Sequence, residues 1–292
     1  MTLPAGASAA RRVGGGDINE AWHVTLADGR EAFVKTRASA APGEYRAEAA
    51  GLAWLAEPGA LRMPRVLELG EDYLALEWIE PGVLNARGVE ELGRGLAVTH
   101  AAGASGFGDP GFGDAGSGSP GSSAAGPSGS AAFGSLSLPN EPTADWPSFY
   151  AERRLRPLAA LAAQRHALSE GGVRAVERVC ERIAKLAGPP EPAARLHGDL
   201  WGGNVMADTD GRPWLIDPSA YGGHREVDLA MLRLFGAPSE RVFAAYADVA
   251  PLAEGWEERV QLWQLLPLLV HALLFGGSYP AAAERVARHY AG

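Results

Sequence analysis

Two acidic residues and one amide at fixed spacing constrain this chain more than any other feature. Asp199 follows the letters Leu-His-Gly, Asn204 comes five residues later, and Asp217 stands thirteen residues beyond Asn204. Phosphoryl transfer uses such a trio. One carboxylate orients a hydroxyl and accepts its proton, while an amide oxygen and a second carboxylate hold Mg²⁺ on the phosphates of ATP. The spacing predicts a kinase-like site with Asp199 as the base and Asn204 and Asp217 as metal ligands.

Each piece of this pattern, taken alone, is also typical of an ordinary turn, because Gly, Asp, Asn and Pro all favour turns. The joint spacing favours the kinase interpretation. Between Asn204 and Asp217, apolar residues flank Asp210-Gly211, which is a strong two-residue turn signal. The sequence therefore predicts a hairpin that returns Asp217 to the side of Asn204.

A nucleotide-binding segment is predicted upstream. The glycine run that contains Gly15 and Gly16, followed by Asp17, precedes two predicted strands, and the second strand ends at Lys35. Glycines let backbone amides approach phosphate oxygens closely, and the lysine adds a positive charge there. The segment is neither a Walker A loop nor a dinucleotide-binding fingerprint, because the spacing of neither motif is present.

The next predicted helix supplies an acidic partner for the lysine. A lysine that positions phosphates needs a carboxylate on this helix to hold it. Glu48 is the predicted partner, and Glu44, one turn earlier on nearly the same face, is the alternative. Helical glutamates are more often simply solvated, so the assignment depends on the surrounding pattern.

Two further predicted strands lead into a Glu-Pro-Gly turn that would connect a small lobe to a larger one. Residues at the end of the second strand, Glu77, Trp78 and Ile79, are expected to bind the adenine edge through the backbone. Met206 and Ile216, beside the predicted metal ligands, would then contact the ring from the larger lobe.

These elements predict an α+β fold with two lobes. The chain has 292 residues, of which 47% are hydrophobic, so it is long enough for two lobes with cores of their own. Residues 1–78 are expected to form a small antiparallel sheet with the glycine loop, and residues 79–292 a mostly helical catalytic lobe. Residues 103–132, nearly all Gly, Ser, Ala and Pro, are expected to be a disordered insert.

Several longer motifs resemble the fructosamine kinase (ketosamine-3-kinase) family, a branch of the protein-kinase-like superfamily that also holds the aminoglycoside phosphotransferases and choline kinases. They are Gly-Gly-Asp-Ile-Asn (15–19), Phe-Val-Lys (33–35), Leu-His-Gly-Asp-Leu-Trp-Gly-Gly-Asn (196–204), Ile-Asp-Pro (216–218) and Arg-Glu-Val-Asp-Leu-Ala-Met (225–231). His-Gly-Asp with its Asn and Asp is shared by the whole superfamily. The glycine segment, Trp201 and the 225–231 motif are the family-specific parts.

The resemblance implies an ATP- and Mg²⁺-dependent kinase that phosphorylates the sugar 3-hydroxyl of a ketoamine, after which the product decomposes and frees the amine. It also implies that Asp228 is a buried carboxylate bracing the catalytic loop. The amine part of the substrate, and the choice between ribulosamine and fructosamine, stay open. An aminoglycoside or choline-type kinase is the alternative, and an inactive nucleotide-binding protein is a further one that the retained catalytic residues disfavour.

Residues for the acceptor substrate are less constrained. Trp201 offers a flat face on which a sugar could stack, with core packing as the alternative. His271 lies in an apolar helix, where a core role is common, yet it coincides with a histidine of the family near the cleft. Tyr221 and Glu226 could face the acceptor, and Glu226 could equally brace a loop through an ion pair.

The charge of the chain bears on its partners. A net charge of −9 and a pI near 5.3 argue against nucleic acid, which favours a basic face. Arg153, Arg154 and Arg156 alternate with apolar residues and are expected to form the solvated face of a helix. We expect a small-molecule or protein-bound ketoamine as the substrate, no membrane partner, and a monomer or weak dimer.

The remaining features predict a cytoplasmic protein. The single Cys180 cannot form an intramolecular disulfide and is expected to be a buried thiol in a helix. The first twelve residues lack the apolar core of a secretory signal. The apolar stretch 260–275 is short and carries Pro267 and His271, so it predicts a buried helix and not a membrane span.

Overall fold

The computed structural model describes residues 3–14, 20–37, 43–109 and 130–292. The predicted phosphate-contacting residues Gly15, Gly16 and Asp17 lie outside these ranges. So does the middle of the predicted insert.

A five-stranded antiparallel sheet forms the N-terminal part of the molecule, with strand order β1-β2-β3-β5-β4. Helix α1 joins β3 to β4. This arrangement confirms the small-sheet half of the predicted α+β fold. The bounds are β1 Ser8–Val13, β2 Glu20–Thr25, β3 Glu31–Thr36, α1 Glu44–Ala56, β4 Val66–Leu69 and β5 Tyr73–Glu77.

Strand β3 explains how the sheet positions its lysine. Side chains alternate between the two faces of a strand, so Ala32 and Val34 point to one side and pack in a small core cluster with Val24 and Ala75. Lys35 points to the other side, towards α1, and is only 4% exposed. The alternation therefore aims a buried ammonium group into the cleft.

The C-terminal part is mostly helical, as predicted, with three short strand pairs, β6–β7, β8–β11 and β9–β10. Its elements are α2 Ala86–Ala101, β6 Ser130–Phe133, β7 Leu136–Pro139, α3 Trp146–Phe149, a π-helical turn Tyr150–Leu155, α4 Arg156–Gln164, α5 Glu170–Leu186, β8 Ala194–Leu196, a 3₁₀ turn Gly202–Asn204, β9 Val205–Ala207, β10 Pro213–Leu215, β11 Tyr221–Gly223, α6 Glu226–Leu234, α7 Arg241–Val249, α8 Trp256–Leu274 and α9 Tyr279–Ala291.

Helix α8 runs through the core of this part and confirms the predicted buried helix. Most of its residues are buried although Pro267 lies inside it. Within the described ranges, no helix is both long enough and apolar enough to cross a bilayer. Cys180 is a buried free thiol on α5, as expected, and burial raises its pKa to about 12.

The basic cluster before α4 differs from its prediction. Arg153 and Arg156 are partly exposed, but the Arg154 side chain is fully buried. The turn that carries it is π-helical, so the Arg156 amide donates to the carbonyl of Ala151, five residues earlier. Pro157 has no amide hydrogen to donate to the Arg153 carbonyl, and the Arg154 Nη1 donates to that carbonyl instead (3.1 Å). The solvated face predicted for this segment is therefore wrong at Arg154.

Both ends of the predicted insert take part in regular hydrogen bonding. The amides and carbonyls of Gly108 and Gly222 exchange two hydrogen bonds of 2.8 Å. At the other end, β6 pairs with β7 over Ser130 to Phe133. The prediction treated residues 103–132 alike because small residues dominate the whole segment, so it did not identify these hydrogen-bonded ends.

Candidate active site

The loop after β8 carries the predicted base. Gly198 has φ +82°, and a Cβ atom there would lie 2.0 Å from the carbonyl oxygen of Ser219. Only glycine fits that approach, because every other residue carries a Cβ. The Ser219 amide also donates to the His197 carbonyl (2.9 Å). The chain before Asp199 is thereby held against the segment that follows Asp217.

Asp228, on α6, holds the same loop in place through hydrogen bonds. Its carboxylate is fully buried and accepts hydrogen bonds from the amides of His197 (2.7 Å) and Gly198 (3.0 Å). His100 donates from Nε2 to the same carboxylate (3.3 Å), and the Tyr246 hydroxyl donates to His100 Nδ1 (2.9 Å). The bracing position predicted for Asp228 is confirmed.

His197 connects the catalytic loop to the metal-ligand hairpin. The Asp199 amide donates to His197 Nδ1 (3.3 Å), so the proton is on Nε2, which donates to the Ile216 carbonyl (2.9 Å). This neutral tautomer satisfies both ring nitrogens. It also fixes the backbone immediately before Asp217.

The predicted hairpin is present as β9 and β10, but its connection is longer than two residues. Ala207 pairs with Pro213, and the five residues between them form the loop. The Asp208 carboxylate closes this loop by accepting from the amides of Asp210 and Arg212. Beyond the strands, the Ile216 amide donates to the Asn204 carbonyl (3.1 Å). The hairpin thus brings Asp217 close to Asn204, because Asp217 directly follows Ile216.

Asn204 contacts the predicted base directly. Its Nδ2 donates to the backbone carbonyl of Asp199 (2.8 Å) and to the Asp199 side chain at Oδ2 (3.2 Å). Because the amide nitrogen is used in this way, the side-chain oxygen is the atom that remains to ligate a cation.

Asp217 adopts a left-handed backbone conformation, with φ +54°. This region is sparsely populated by residues other than glycine, asparagine and aspartate, and such residues cluster at functional sites. Asp217 Oδ1 accepts from Lys35 Nζ at 2.8 Å. Its side chain is 44% exposed, so the carboxylate faces both the lysine and the open cleft.

Lys35 also forms an ion pair with Glu48 on α1. Glu44, the alternative partner, pairs with Arg37 instead. Burial favours a lower pKa for Lys35, but the two adjacent carboxylates outweigh it and raise the pKa above its ordinary value. Lys35 therefore stays charged and connects the small sheet to the catalytic hairpin.

Burial raises the pKa of Asp199 above its ordinary value, and the neighbouring Asp217 carboxylate acts in the same direction. The hydrogen bond from Asn204 opposes this increase. A carboxylate that is less acidic than usual is a better proton acceptor near neutral pH, which suits a general base.

The predicted adenine-binding residues lie at the end of β5. The Glu77 amide donates to the Arg65 carbonyl (2.8 Å) and the Trp78 amide to the Glu31 carbonyl (3.4 Å). Both amide hydrogens are used inside the sheet. A ligand at this edge would therefore not bond to those two donors.

Trp78, Met206 and Ile216 are the other predicted contacts of the adenine ring. The Trp78 indole stacks on the His23 ring at 3.8 Å between centroids. Met206 lies opposite Trp214 in the β9–β10 hairpin, and Met206 and Ile216 are both half-buried. Their contact with a nucleotide ring stays a prediction.

A small pocket opens beside Asp199. Apart from Asp199 and His271 its walls are apolar, and they come from the β6–β7 hairpin, the catalytic loop, α6 and α8. The lining residues are Phe133, Gly198, Asp199, Val227, Met231, Leu266, Pro267, Val270 and His271. We call this the acceptor pocket. His271 Nδ1 donates to the Pro267 carbonyl (2.7 Å), so a neutral ring presents Nε2 as an acceptor.

Trp201 has 39% of its surface exposed, so it is not a core residue. Its ring meets Phe235 edge-on at 6.2 Å, and Phe235 also contacts His271 at 4.8 Å. Phe235 connects the two predicted substrate residues and was missed from the sequence. Phe133 was missed as well, because it lies at the edge of a segment that is poor in apolar residues.

Two predicted acceptor contacts are wrong. The Tyr221 ring is fully buried between Phe149 and the Arg154 guanidinium. Glu226 is also buried and accepts from Arg259 (2.5 and 2.9 Å) and from the Trp263 indole (2.8 Å). Both side chains point into the core because their backbone positions face α8 and the π-helical turn. The ion-pair alternative for Glu226 is the one observed.

The residues present fit a magnesium ion. Mg²⁺ uses one or two carboxylates together with substrate phosphates and water, and it does not need an all-protein cage. Asn204 offers its side-chain oxygen, and Asp217 offers the oxygen that is not bonded to Lys35. Within the described ranges, no group of three or more His, Cys, Asp or Glu residues could hold a metal by itself.

Known proteins match this chain along nearly its whole length. A sequence model of the fructosamine kinase family matches residues 3–291. A probable ketoamine kinase of Synechocystis is 34% identical, covering 94% of this chain and 88% of the relative. The chloroplastic protein-ribulosamine 3-kinase of Arabidopsis thaliana is 33% identical, covering 95% and 81%.

A solved structure from Thermobifida fusca, assigned to fructosamine-3-kinase, superposes with a TM-score of 0.85 at 42% identity and covers 97% of this chain and 93% of that one. Both the sequence and the fold therefore agree along nearly the whole chain. The chain belongs to the fructosamine kinase family, with its protein-kinase-like fold.

Proposed function

We propose that this protein transfers the γ-phosphoryl group of ATP to the 3-hydroxyl of the sugar in a ketoamine. The observation that carries the proposal is the set of contacts around Lys35, which joins Glu48 on α1 to Asp217 on the catalytic hairpin. This connection unites a nucleotide lobe with a metal ligand, as phosphoryl transfer requires.

The geometry supports a distinct role for each group. Asp199 orients the sugar hydroxyl and accepts its proton, and Asn204 keeps the Asp199 carboxylate in place. Asn204 and Asp217 would hold Mg²⁺, which neutralises charge on the phosphates when it is bound. Lys35 would contact the phosphates from the small sheet. Positioning and charge neutralisation would supply most of the rate.

Family membership supports a ketoamine as the acceptor, since relatives carry the names ketoamine kinase and protein-ribulosamine 3-kinase. The surroundings of Asp199 agree with a sugar. Trp201 presents an exposed aromatic face, and His271 presents a polar atom at the pocket. An amine freed after phosphorylation would make the reaction a step in removal of sugar adducts.

The test is ATP consumption by the purified protein with Mg²⁺ and a synthetic ribulosamine or fructosamine. Mass spectrometry of the acceptor would detect the added phosphoryl group. Choline and an aminoglycoside would be assayed in parallel, and Asp199→Asn is the control for contaminating kinases. We expect turnover with a ketoamine that is lost in Asp199→Asn.

Turnover with choline or the aminoglycoside alone would refute the ketoamine assignment while retaining the kinase mechanism. ATP binding without turnover on any acceptor would refute the catalytic assignment. We also propose a cytoplasmic location, which the composition supports, and a monomeric or weakly dimeric state. The net charge of −9 supports the absence of a nucleic-acid partner.

A further inference from the structure

A buried arginine lies behind the acceptor pocket. Arg154 is 0% exposed, and its hydrogen bonds go to neutral oxygens. Nη1 donates to the carbonyls of Pro139 (2.6 Å) and Arg153 (3.1 Å), and Nη2 donates to Asn140 Oδ1 (2.7 Å). Within the described ranges, its Nε has no hydrogen-bond partner. Burying a charge in this way is costly, so its retention requires a reason.

Aromatic rings surround the guanidinium. Its carbon lies 4.4 Å from the centre of the Phe149 ring, 4.5 Å from that of Tyr221 and 5.3 Å from that of Phe133. Cation–π attraction at desolvated sites offsets part of the burial cost. The planar group also fixes the relative positions of rings from three separate segments of the chain.

Two of the contacts of Arg154 belong to the β6–β7 hairpin. Pro139 is the last residue of β7 and pairs with the first residue of β6, while Phe133 pairs with Leu136 at the other end. Phe133 also lines the acceptor pocket beside Asp199. Arg154 thus holds the base of a hairpin whose tip forms a wall of the pocket.

The same hairpin contacts the metal-ligand segment. Ser219, two residues after Asp217, donates from its hydroxyl to the Ala132 carbonyl (2.6 Å). The hairpin is therefore held at its base by Arg154 and near its tip by the loop that carries a predicted metal ligand. A shift of its base would move Phe133 relative to Asp199.

We propose that Arg154 is a positioning residue, which holds the β6–β7 hairpin so that Phe133 closes the acceptor pocket beside Asp199. The kinetic part of this proposal rests on the proposed function. Arg154 touches neither the reacting atoms nor the nucleotide side of the cleft, so its effect should fall on the acceptor.

The experiment compares full-length wild type, Arg154→Met, Arg154→Lys and Phe133→Ala with a ketoamine and saturating Mg²⁺·ATP. Arg154→Met leaves the Pro139 and Asn140 oxygens unpaired. We expect it to raise the ketoamine KM about tenfold while kcat and the KM for ATP change about twofold or less. Arg154→Lys should recover part of the loss, because it keeps the charge but not the planar fork.

Phe133→Ala tests the same proposed link from Arg154 to the acceptor pocket without removing a buried charge. This variant replaces Arg154→Met in the comparison if Arg154→Met does not fold. It should raise the ketoamine KM to a similar extent. The ketoamine KM of the double variant Arg154→Met/Phe133→Ala should not exceed the higher of the two single-variant values. The reason is that the effects of two residues that act through one contact do not add. Multiplied effects in the double variant, or equal losses in kcat and both KM values, would overturn the proposal.

Val242→Ala is the matched control for lost stability. Val242 is fully buried on α7, in a core cluster that does not include the hairpin. The Val242→Ala variant should have a lower melting temperature and an unchanged ketoamine KM. If it reproduces the Arg154→Met kinetics, the effect of Arg154 is only structural and the proposal fails.

Hydrogen exchange separates this proposal from the proposed function. Amides in residues 130–140 should exchange faster in Arg154→Met than in wild type, and Val242→Ala should leave them unchanged. This readout needs no turnover, so it decides the positioning role even if no ketoamine is phosphorylated. Unchanged exchange in Arg154→Met would refute the role.

Discussion

The two walls of the cleft are built in different ways. On the phosphate side, charged and amide groups contact one another directly, as Lys35 does with Glu48 and Asp217. On the acceptor side, apolar side chains from a hairpin and two helices surround a pocket in which Asp199 and His271 are the polar groups. One wall depends on ion pairs and hydrogen bonds, and the other depends on packing.

This difference separates the reaction from its specificity. Ion pairs and metal ligands need particular residue types at particular positions, so the phosphate side is readable as motifs. An apolar wall tolerates exchange among hydrophobic residues of similar volume, so the acceptor side leaves a weaker trace in the sequence. Changes to the first wall should reduce kcat, and changes to the second should mainly alter the acceptor KM.

The largest effect should come from the base. Asp199→Asn keeps the shape of the side chain but cannot accept the proton, and we expect kcat to fall about 10³-fold, within the range for general base catalysis. Steady-state kinetics would measure the loss. Calorimetric titration with Mg²⁺ and a non-hydrolysable ATP analogue should show that nucleotide affinity is retained. A decrease of fivefold or less would remove Asp199 from the role of base.

The next effect should distinguish the two glutamates of α1. Lys35→Met should lower kcat/KM for ATP by about 10²-fold, a typical loss for one group that stabilises developing charge. Glu48→Gln should cause a smaller loss, because it frees the lysine without removing it. Glu44→Gln is the matched control on the same helix, since Glu44 pairs with Arg37, and it should stay within twofold of wild type. Equal losses for Glu44→Gln and Glu48→Gln would contradict the assignment.

The pH dependence of kcat/KM should show the raised pKa of Asp199. The base must be deprotonated, so activity should be present above its pKa and decrease as the pH falls through it. Because burial raises that pKa, the acid limb should lie above the ordinary aspartate value of 3.8. Circular dichroism over the same range would exclude unfolding as the cause. An acid limb at or below 3.8 would contradict the role of burial.

The smallest effect should be at the exposed edge of the acceptor wall. Trp201→Ala should raise the ketoamine KM about fivefold, which corresponds to the loss of one aromatic contact, and Trp201→Phe should retain most of the affinity. The KM for ATP and the melting temperature should stay close to wild type, because the ring is 39% exposed. A large loss of stability would indicate a packing role instead.

The sequence predicted the pairing of Lys35 with Glu48 and the approach of Asp217 to Asn204, and the catalytic loop shows a physical reason. Glycine and aspartate in the catalytic loop satisfy backbone requirements that few residues meet, such as the close approach at Gly198 and the left-handed conformation at Asp217. The β9–β10 hairpin was predicted from alternating apolar residues and a turn signal. Only the length of its loop differed, because the Asp208 carboxylate stabilises a wider turn.

The acceptor side was predicted less well. Nearness in sequence to Asp217 suggested that Tyr221 and Glu226 face the cleft, but the direction of a side chain depends on partners far along the chain. Glu226 points inward because Arg259, 33 residues later, supplies the opposite charge. Arg154 was expected to be exposed to solvent because charged side chains usually are exposed. Pro157 was the one feature of the sequence that indicated a change of helical register at this position.

The Asp228 network has a consequence for motion. The amides of His197 and Gly198 are bonded to a carboxylate that α6 carries. His100 of α2 also bonds to this carboxylate, and Tyr246 of α7 bonds to His100. Because that carboxylate is fully buried, these two bonds break only when the loop moves out of the helical core. These two amides should therefore be among the slowest to exchange with solvent, so the catalytic loop would be as durable as the core, and the movements needed for substrate entry must arise elsewhere.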